Sequence, residues 1–271
     1  MLRIIPILLF LPFLFYPDLI RAQKYEYGFL VGAANYQGDM APRPILKESH
    51  PAGGIFFRNN VSPFFAWKVG VHYGRISGND SNLEYLQTRN LSFFSPVLEG
   101  SAMLEFNFLA FATGLKPREF TPFLFIGIAG FHFNPKTTFT GQEGEQTTIE
   151  LQPLNTEGQN LGGGKKYNRW QFSIPLGGGF KYTLTRHFNA SIEIGFRKTF
   201  TDYLDDVSTE YFDPDLLLER NGAVTAGLAD RSADQIGTAG KQRGNNDLTD
   251  WYIFSGITIA YRIKNPDCPV F

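Results

Sequence analysis

The stretch FNASIEIGFR, residues 188–197, alternates without a break. Phe188, Ala190, Ile192, Ile194 and Phe196 fall on one face, and Asn189, Ser191, Glu193, Gly195 and Arg197 on the other. A period of two belongs to an extended strand with one oily and one polar face; a helix would repeat every ~3.6 residues. The pattern recurs upstream. Leu98, Gly100, Ala102, Leu104, Phe106 and Phe108 oppose Glu99, Ser101, Met103, Glu105 and Asn107. Trp67, Val69, Val71 and Tyr73 oppose Lys68, Gly70 and His72, and Phe172, Ile174, Leu176, Phe180 and Tyr182 oppose Ser173, Gly177, Gly179 and Lys181.

Eight segments read this way, at about 25–36, 52–60, 63–77, 91–110, 119–134, 168–184, 187–202 and 249–263. Segments 25–36 and 119–134 are apolar on both faces, which leaves their facing open. Most reach the roughly 9–11 residues that a tilted membrane strand requires. The connections alternate in length. Those at 37–51, 78–90, 135–167 and 203–248 are long, and those at Asn60–Ser62, Thr113–Arg118 and Thr185–Arg186 are short. Alternation of this kind predicts an all-β fold: an eight-stranded antiparallel up-and-down transmembrane β-barrel with long extracellular loops and short periplasmic turns. An even strand number puts both termini on the periplasmic side.

Aromatic residues cluster at both ends of the segments, as interfacial girdles do. Tyr25, Tyr27, Phe64, Phe65, Phe111, Phe123, Tyr182, Phe188 and Tyr261 lie toward the turns, and Tyr36, Tyr73, Phe94, Phe133, Trp170, Phe200 and Trp251 toward the loops. The competing architectures are a secreted β-sandwich and a soluble lipocalin-like barrel, which would keep apolar residues inside. Here the charges share a face with Gly and Ser, which suits a polar lumen.

The chain starts MLRIIPILLFLPFLFYPDLIRAQ, with Arg3 ahead of an apolar run from Ile4 to Tyr16 and a small residue at Ala22. This reads as a signal peptide over 1–22 for export to the outer membrane of a Gram-negative cell, with an N-terminal anchor helix as the alternative. The barrel would then occupy 23–263 and a periplasmic C-terminal tail 264–271. The first 22 residues carry Arg3, Asp18 and Arg21, so the formal charge of −1 becomes −2 without them. Near-neutrality argues against nucleic acid as a partner. The single cysteine, Cys268, allows no internal disulfide and is either an idle thiol or an intermolecular link.

The polar faces would bring Lys68, His72, Glu99, Glu105, Lys181, Glu193 and Arg197 into the interior as a polar network. Eight strands leave room only for side chains, and charges confined there must pair or be wetted. Asp202, Asp205 and Asp206, in RKTFTDYLDDVST (197–209), follow the seventh segment. They open the longest loop either as solvated turn caps, or with Tyr203 as an extracellular partner site, or as cation ligands; their spacing matches no EF-hand. Histidines 50, 72, 132 and 187 are scattered, and neither GxSxG nor HExxH occurs. No catalytic residue, cofactor or metal site is expected.

The segments YEYGFLVGAANYQGD (25–39), GIFFRNNVSPFFAWKVGVHYGRISGND (54–80), FRKTFTDYLDDVST (196–209), GLADRS (227–232) and the tail CPVF (268–271) resemble the PorG-like outer-membrane proteins, the DUF6089 family. The resemblance runs over nearly the whole mature chain. It implies a non-catalytic outer-membrane barrel of the type IX protein secretion machinery, surrounded by outer-membrane lipid and docking a periplasmic ring of a PorK-like lipoprotein and a PorN-like protein. Cys268 would then lie at the periplasmic end, where a ring would contact or bridge it. Two rival functions remain in play. One is a stand-alone OmpA/OmpX-like surface barrel that binds ligands or partners through loops 135–167 and 203–248. The other is a membrane-embedded enzyme acting on lipids.

Overall fold

The computed structural model describes residues 25–111, 118–140, 144–162 and 166–263. The signal segment, the turn around 113–117 and the tail with Cys268 lie outside the described residues. Eight long strands form the barrel: β1 (Tyr25–Gln37), β2 (His50–Asn60), β3 (Phe65–Asn79), β4 (Ser92–Asn107), β5 (Phe120–Phe133), β8 (Trp170–Thr183), β9 (Phe188–Thr199) and β10 (Trp251–Arg262). Every neighbouring pair is antiparallel, and the ladder closes where β1 meets β10, in register from Glu26↔Arg262 to Gln37↔Trp251. Closure leaves no open edge, so every strand has a hydrogen-bonded neighbour on both sides. No helix among the described residues is long and apolar enough to cross a membrane.

The period-2 alternation sets which face is which. On β4 and β9 the even-numbered apolar residues point outward and the odd-numbered polar ones inward. The segments of open facing settle the same way. β1 turns Glu26, Leu30, Ala34 and Tyr36 inward, and β5 turns Phe123, Phe125, Ala129, Phe131 and Phe133 inward. The outer wall is correspondingly bare and apolar, with Val31, Val71, Ile128, Phe172 and Ile192 all at least half exposed. From Phe65 to Tyr73 the outward apolar row of β3 spans eight steps at ~3.3 Å, about 20 Å of height once tilted by ~40°.

Close approach of the strands requires glycine at Gly32 and Gly256, which face each other across the β1–β10 seam. A Cβ on either would run into the backbone of the partner strand.

Four of the expected girdle aromatics are not on the wall. Tyr36, Phe111, Phe123 and Phe133 are buried, three because they hold inward parity and Phe111 because it lies beneath Arg262 at the turn end, 5.4 Å from ring to guanidinium. At the turn end two groups of rings pack on the wall, Tyr25, Tyr27, Phe57 and Trp67 in one and Phe65, Phe106 and Phe108 in the other, with neighbouring rings 5.0–5.8 Å apart.

The long connections are structured. A hairpin of β6 (Lys136–Thr140) and β7 (Gln146–Glu150) rises from β5 and joins β4 through Phe94↔Lys136. The loop after β9 carries α1 (Pro214–Asn221) and α2 (Ala223–Ala229). Asp213 caps α1 by accepting from the Asp215 and Leu216 amides, Pro214 opens it, and Gly222 ends it at φ 87°. That is the usual start and stop chemistry of a short helix.

The row Val69, Ala102, Ile128 crosses β3, β4 and β5 midway up the wall. Ile128→Arg should therefore lower the unfolding free energy in phospholipid vesicles by about 2–4 kcal/mol, the cost of a cation at the hydrocarbon midplane. Urea titration of intrinsic tryptophan fluorescence measures it, and an unchanged midpoint would place this wall in water.

Candidate functional site

Inside the turn half of the barrel, Glu105 of β4 is the hub of a buried ion network. Lys181 from β8 sits 2.6 Å from it and Lys68 from β3 at 3.3 Å, and Arg58 from β2 donates to it at 3.2 Å. Lys68 also holds Glu193 of β9 at 3.0 Å, and Arg58 holds Glu26 of β1 at 2.9 Å. Glu26 accepts further bonds from Asn60, Asn189 and Arg262 at 3.1, 2.8 and 3.1 Å. A second tier lies nearer the loops. Glu99 takes Arg197 at 3.0 Å, His72 at 3.3 Å and the Tyr252 hydroxyl at 2.8 Å.

Lys68, His72, Glu99, Glu105, Lys181, Glu193 and Arg197 thus all face the interior, in two sets: Lys68, Lys181, Glu105 and Glu193 are paired in one, and Arg197 and Glu99 are paired in the other with His72 beside them. Strand parity alone did not bring out their partners Glu26, Arg58, Arg262 and Tyr252. Glu26 sits in a strand whose two faces are both largely small and apolar, so alternation there does not mark which face is inward. Phe56, Phe123, Phe125 and Phe254 lie against these cations at 4.3–5.3 Å, filling what the salt bridges leave.

Toward the loops the interior turns apolar. Tyr36, Phe131, Phe133 and Phe254 form one core with Leu151, Leu204 and Val207 from the loops above. The barrel mouth is therefore roofed by a packed cap.

Asp205 and Asp206 belong to that roof. Both are fully buried, so they are neither solvated turn residues nor an exposed partner site. Asp205 accepts from the Tyr36 hydroxyl at 2.6 Å and from the Val207 amide at 3.0 Å. Asp206, in the left-handed conformation at φ 66°, accepts from Tyr167 at 2.5 Å and Thr156 at 2.6 Å. Its carbonyl oxygen accepts from Arg243, which also holds Glu157 at 2.8 Å. Asp250 accepts from the Leu204 amide at 2.9 Å and approaches the Tyr36 hydroxyl at 3.0 Å. Asp202 and Tyr203 are half-buried, and Tyr203 stacks on Tyr167 with rings 4.7 Å apart. The aspartates therefore staple the β9–β10 loop to β1 and to the 151–167 loop. Arg89 fixes a third loop, gripping Asp80 at 2.7 Å and donating to the Arg243 carbonyl at 2.6 Å.

Residues 3–152 match the model of a family described as a domain of unknown function, DUF6089. The chain belongs to that family. A search of curated proteins gives no match. Among solved structures, this DUF6089 barrel is similar to Neisserial surface protein A (7% identity, 89% of this chain and 99% of that one, TM-score 0.42). It is likewise similar to Ail of Yersinia pestis (7%, 89% and 98%, 0.40) and to OprG of Pseudomonas aeruginosa (8%, 90% and 98%, 0.40). At such identities the likeness concerns the fold. The closed ladder and bare apolar wall make the same statement independently.

No group of three or more His, Cys, Asp or Glu side chains among the described residues is placed to hold a metal ion. In the cap, burial outweighs the hydrogen bonds and pushes acids toward the neutral form. Asp202 rises to about 8, and Asp206 to about 6 despite Arg243 beside it. Asp205 and Asp250 are also raised, by burial first and then by neighbouring carboxylates: Asp39 foremost at Asp205, and Asp205 itself at Asp250. Geometry agrees. The Tyr36 hydroxyl has one proton and two carboxyl oxygens within bonding distance, so one of the two aspartates must itself be the donor.

Two outcomes follow. Glu105→Ala leaves Arg58, Lys68 and Lys181 without their shared carboxylate and should cost about 3–5 kcal/mol, read from urea unfolding in vesicles. An acid whose folded pKa lies above its unfolded value stabilises most below the unfolded value and loses that contribution as pH rises through the folded one. Hydrogen exchange of the 200–250 amides, corrected for intrinsic rate, should accordingly show the cap opening more readily as pH goes from about 4 to about 8. Asp202→Asn should flatten the upper part of that trend, and a pH-independent protection factor would contradict it.

Proposed function

We propose that this chain is a non-catalytic outer-membrane component of the type IX protein secretion machinery, docking a periplasmic ring at its turn end. The observation that carries the reading is the filled interior. A charged network in the turn half and an apolar core in the loop half occupy the barrel along its length, which suits an anchor better than a conduit. Family membership supports the same assignment through the PorG-like motifs, which continue beyond the matched region to FRKTFTDYLDDVST and GLADRS. The partners on this reading are outer-membrane lipid around the wall, and a PorK-like lipoprotein and a PorN-like protein at the turn end. Cys268 and the tail 264–271 lie outside the described residues, and on this reading they would contact the ring.

One feature favours a second reading, an OmpA/OmpX-like surface barrel that works through its loops. The cap has a cleft of about 580 Å³ between Tyr85, Arg89, Tyr211, Leu248 and Trp251. Within it the buried Tyr211 hydroxyl has no hydrogen-bond partner among the described residues.

A clean deletion separates the two. Loss of this protein should trap cargo bearing the C-terminal sorting domain in the periplasm, and a restored copy should release it. Normal export in the deletion strain would sink the secretion role and leave the surface barrel.

A further inference from the structure

The outward positions of the eight barrel strands carry two formal charges, and both are cations. They are Arg75 on β3 and Lys198 on β9, each exposed. Both stand at the loop end. Arg75 is one outward step beyond Tyr73, and Lys198 lies directly across from Trp251. At the turn end the wall has no charge, because Arg118, Glu119 and Arg186 stand in the connections. Neither wall cation has an acidic partner among the described residues. Glu48, on the loop beside β3, is occupied by Ser77 and by Asn82 at 2.7 Å.

An unpaired cation on a lipid-facing wall is tolerated only near the interface, where headgroups replace water as its partner. Arg75 is also held in place: its guanidinium carbon lies over the Phe94 ring, 3.9 Å from the centroid. Phe94 is paired across strands with Lys136, so a second cationic residue stands at the neighbouring backbone position. Lys136 and Arg169 share the single carboxylate of Glu150, both at 3.1 Å, so the cluster keeps a surplus of positive charge. A planar guanidinium held by an aromatic face beside an ammonium is the arrangement that recognises phosphate. A one-sided distribution at headgroup height points to the leaflet on the loop side of the membrane.

We propose that Arg75, seated on Phe94 and assisted by Lys136, binds the phosphate of a glycolipid headgroup in the outer leaflet. The inference rests on the wall lying in the membrane and is independent of any secretion role, so normal export in the deletion strain leaves it standing.

The test is native mass spectrometry of the full mature chain in mild non-ionic detergent, offered bisphosphorylated lipid A, its dephosphorylated form, or inorganic phosphate. The wild type should retain the phosphorylated lipid about 10-fold over the dephosphorylated one. Arg75→Gln should lower that retention about 5-fold, and Arg75→Lys should recover part of it. Heat-dependent gel migration checks folding. If Arg75→Gln does not fold, Lys136→Gln carries the test with an expected loss of about 2-fold. Equal retention of the two lipids, or unchanged retention in the folded variant, overturns the proposal. Displacement of the lipid by equimolar inorganic phosphate overturns the assignment to a lipid source.

Discussion

The seam between β1 and β10 is the constraint on which the rest depends. A sheet surrounded by hydrocarbon has no water to satisfy a free edge, so first and last strands must pair along their whole length. They do so from Glu26↔Arg262 to Gln37↔Trp251, with Gly32 and Gly256 letting the backbones approach. Closure at eight strands then dictates the interior, which is too narrow for a channel and must be filled by its own side chains.

Two different solutions fill it. In the turn half, Glu26, Glu105 and Glu193 meet Arg58, Lys68, Lys181 and Arg262, with asparagines satisfying spare lone pairs, and Glu99 meets Arg197 in the tier nearer the loops. Such a network is a poor source of net stability, because desolvation offsets most of the Coulomb gain. Breaking it from one side is nonetheless expensive. It therefore acts as a register lock: the wrong strand offset would leave buried charges unmatched. In the loop half, aromatic residues continue out of the barrel into the cap, so the two share one apolar core.

The cap explains why so many acids are buried outside the membrane. Asp206 and Glu157 tie the β9–β10 loop to the loop around 151–162, Asp205 ties it to Tyr36 of β1, and Asp80 and Asp250 brace their own loops from within. The arrangement holds protons that free aspartates would release, which ties the rigidity of the surface to pH.

Period-2 alternation settled much of this from the sequence. It placed the eight strands within a few residues and turned Lys68, Glu105, Lys181, Glu193 and Arg197 to one face, because side-chain direction in a strand is a local property. The start and stop of α1 are also written locally, in Asp213, Pro214 and Gly222. Three things were settled only by the tertiary structure. Which carboxylate meets which cation depended on strand stagger: Lys68 and Glu193 lie 125 residues apart. Whether Tyr36, Phe123 and Phe133 faced lipid or the interior depended on the parity of strands whose two faces look alike. The fate of Asp205 and Asp206 depended on loops 156–167 and 243–250 folding over them, since three aspartates in a row of polar residues look solvated until a distant tyrosine and arginine remove the water.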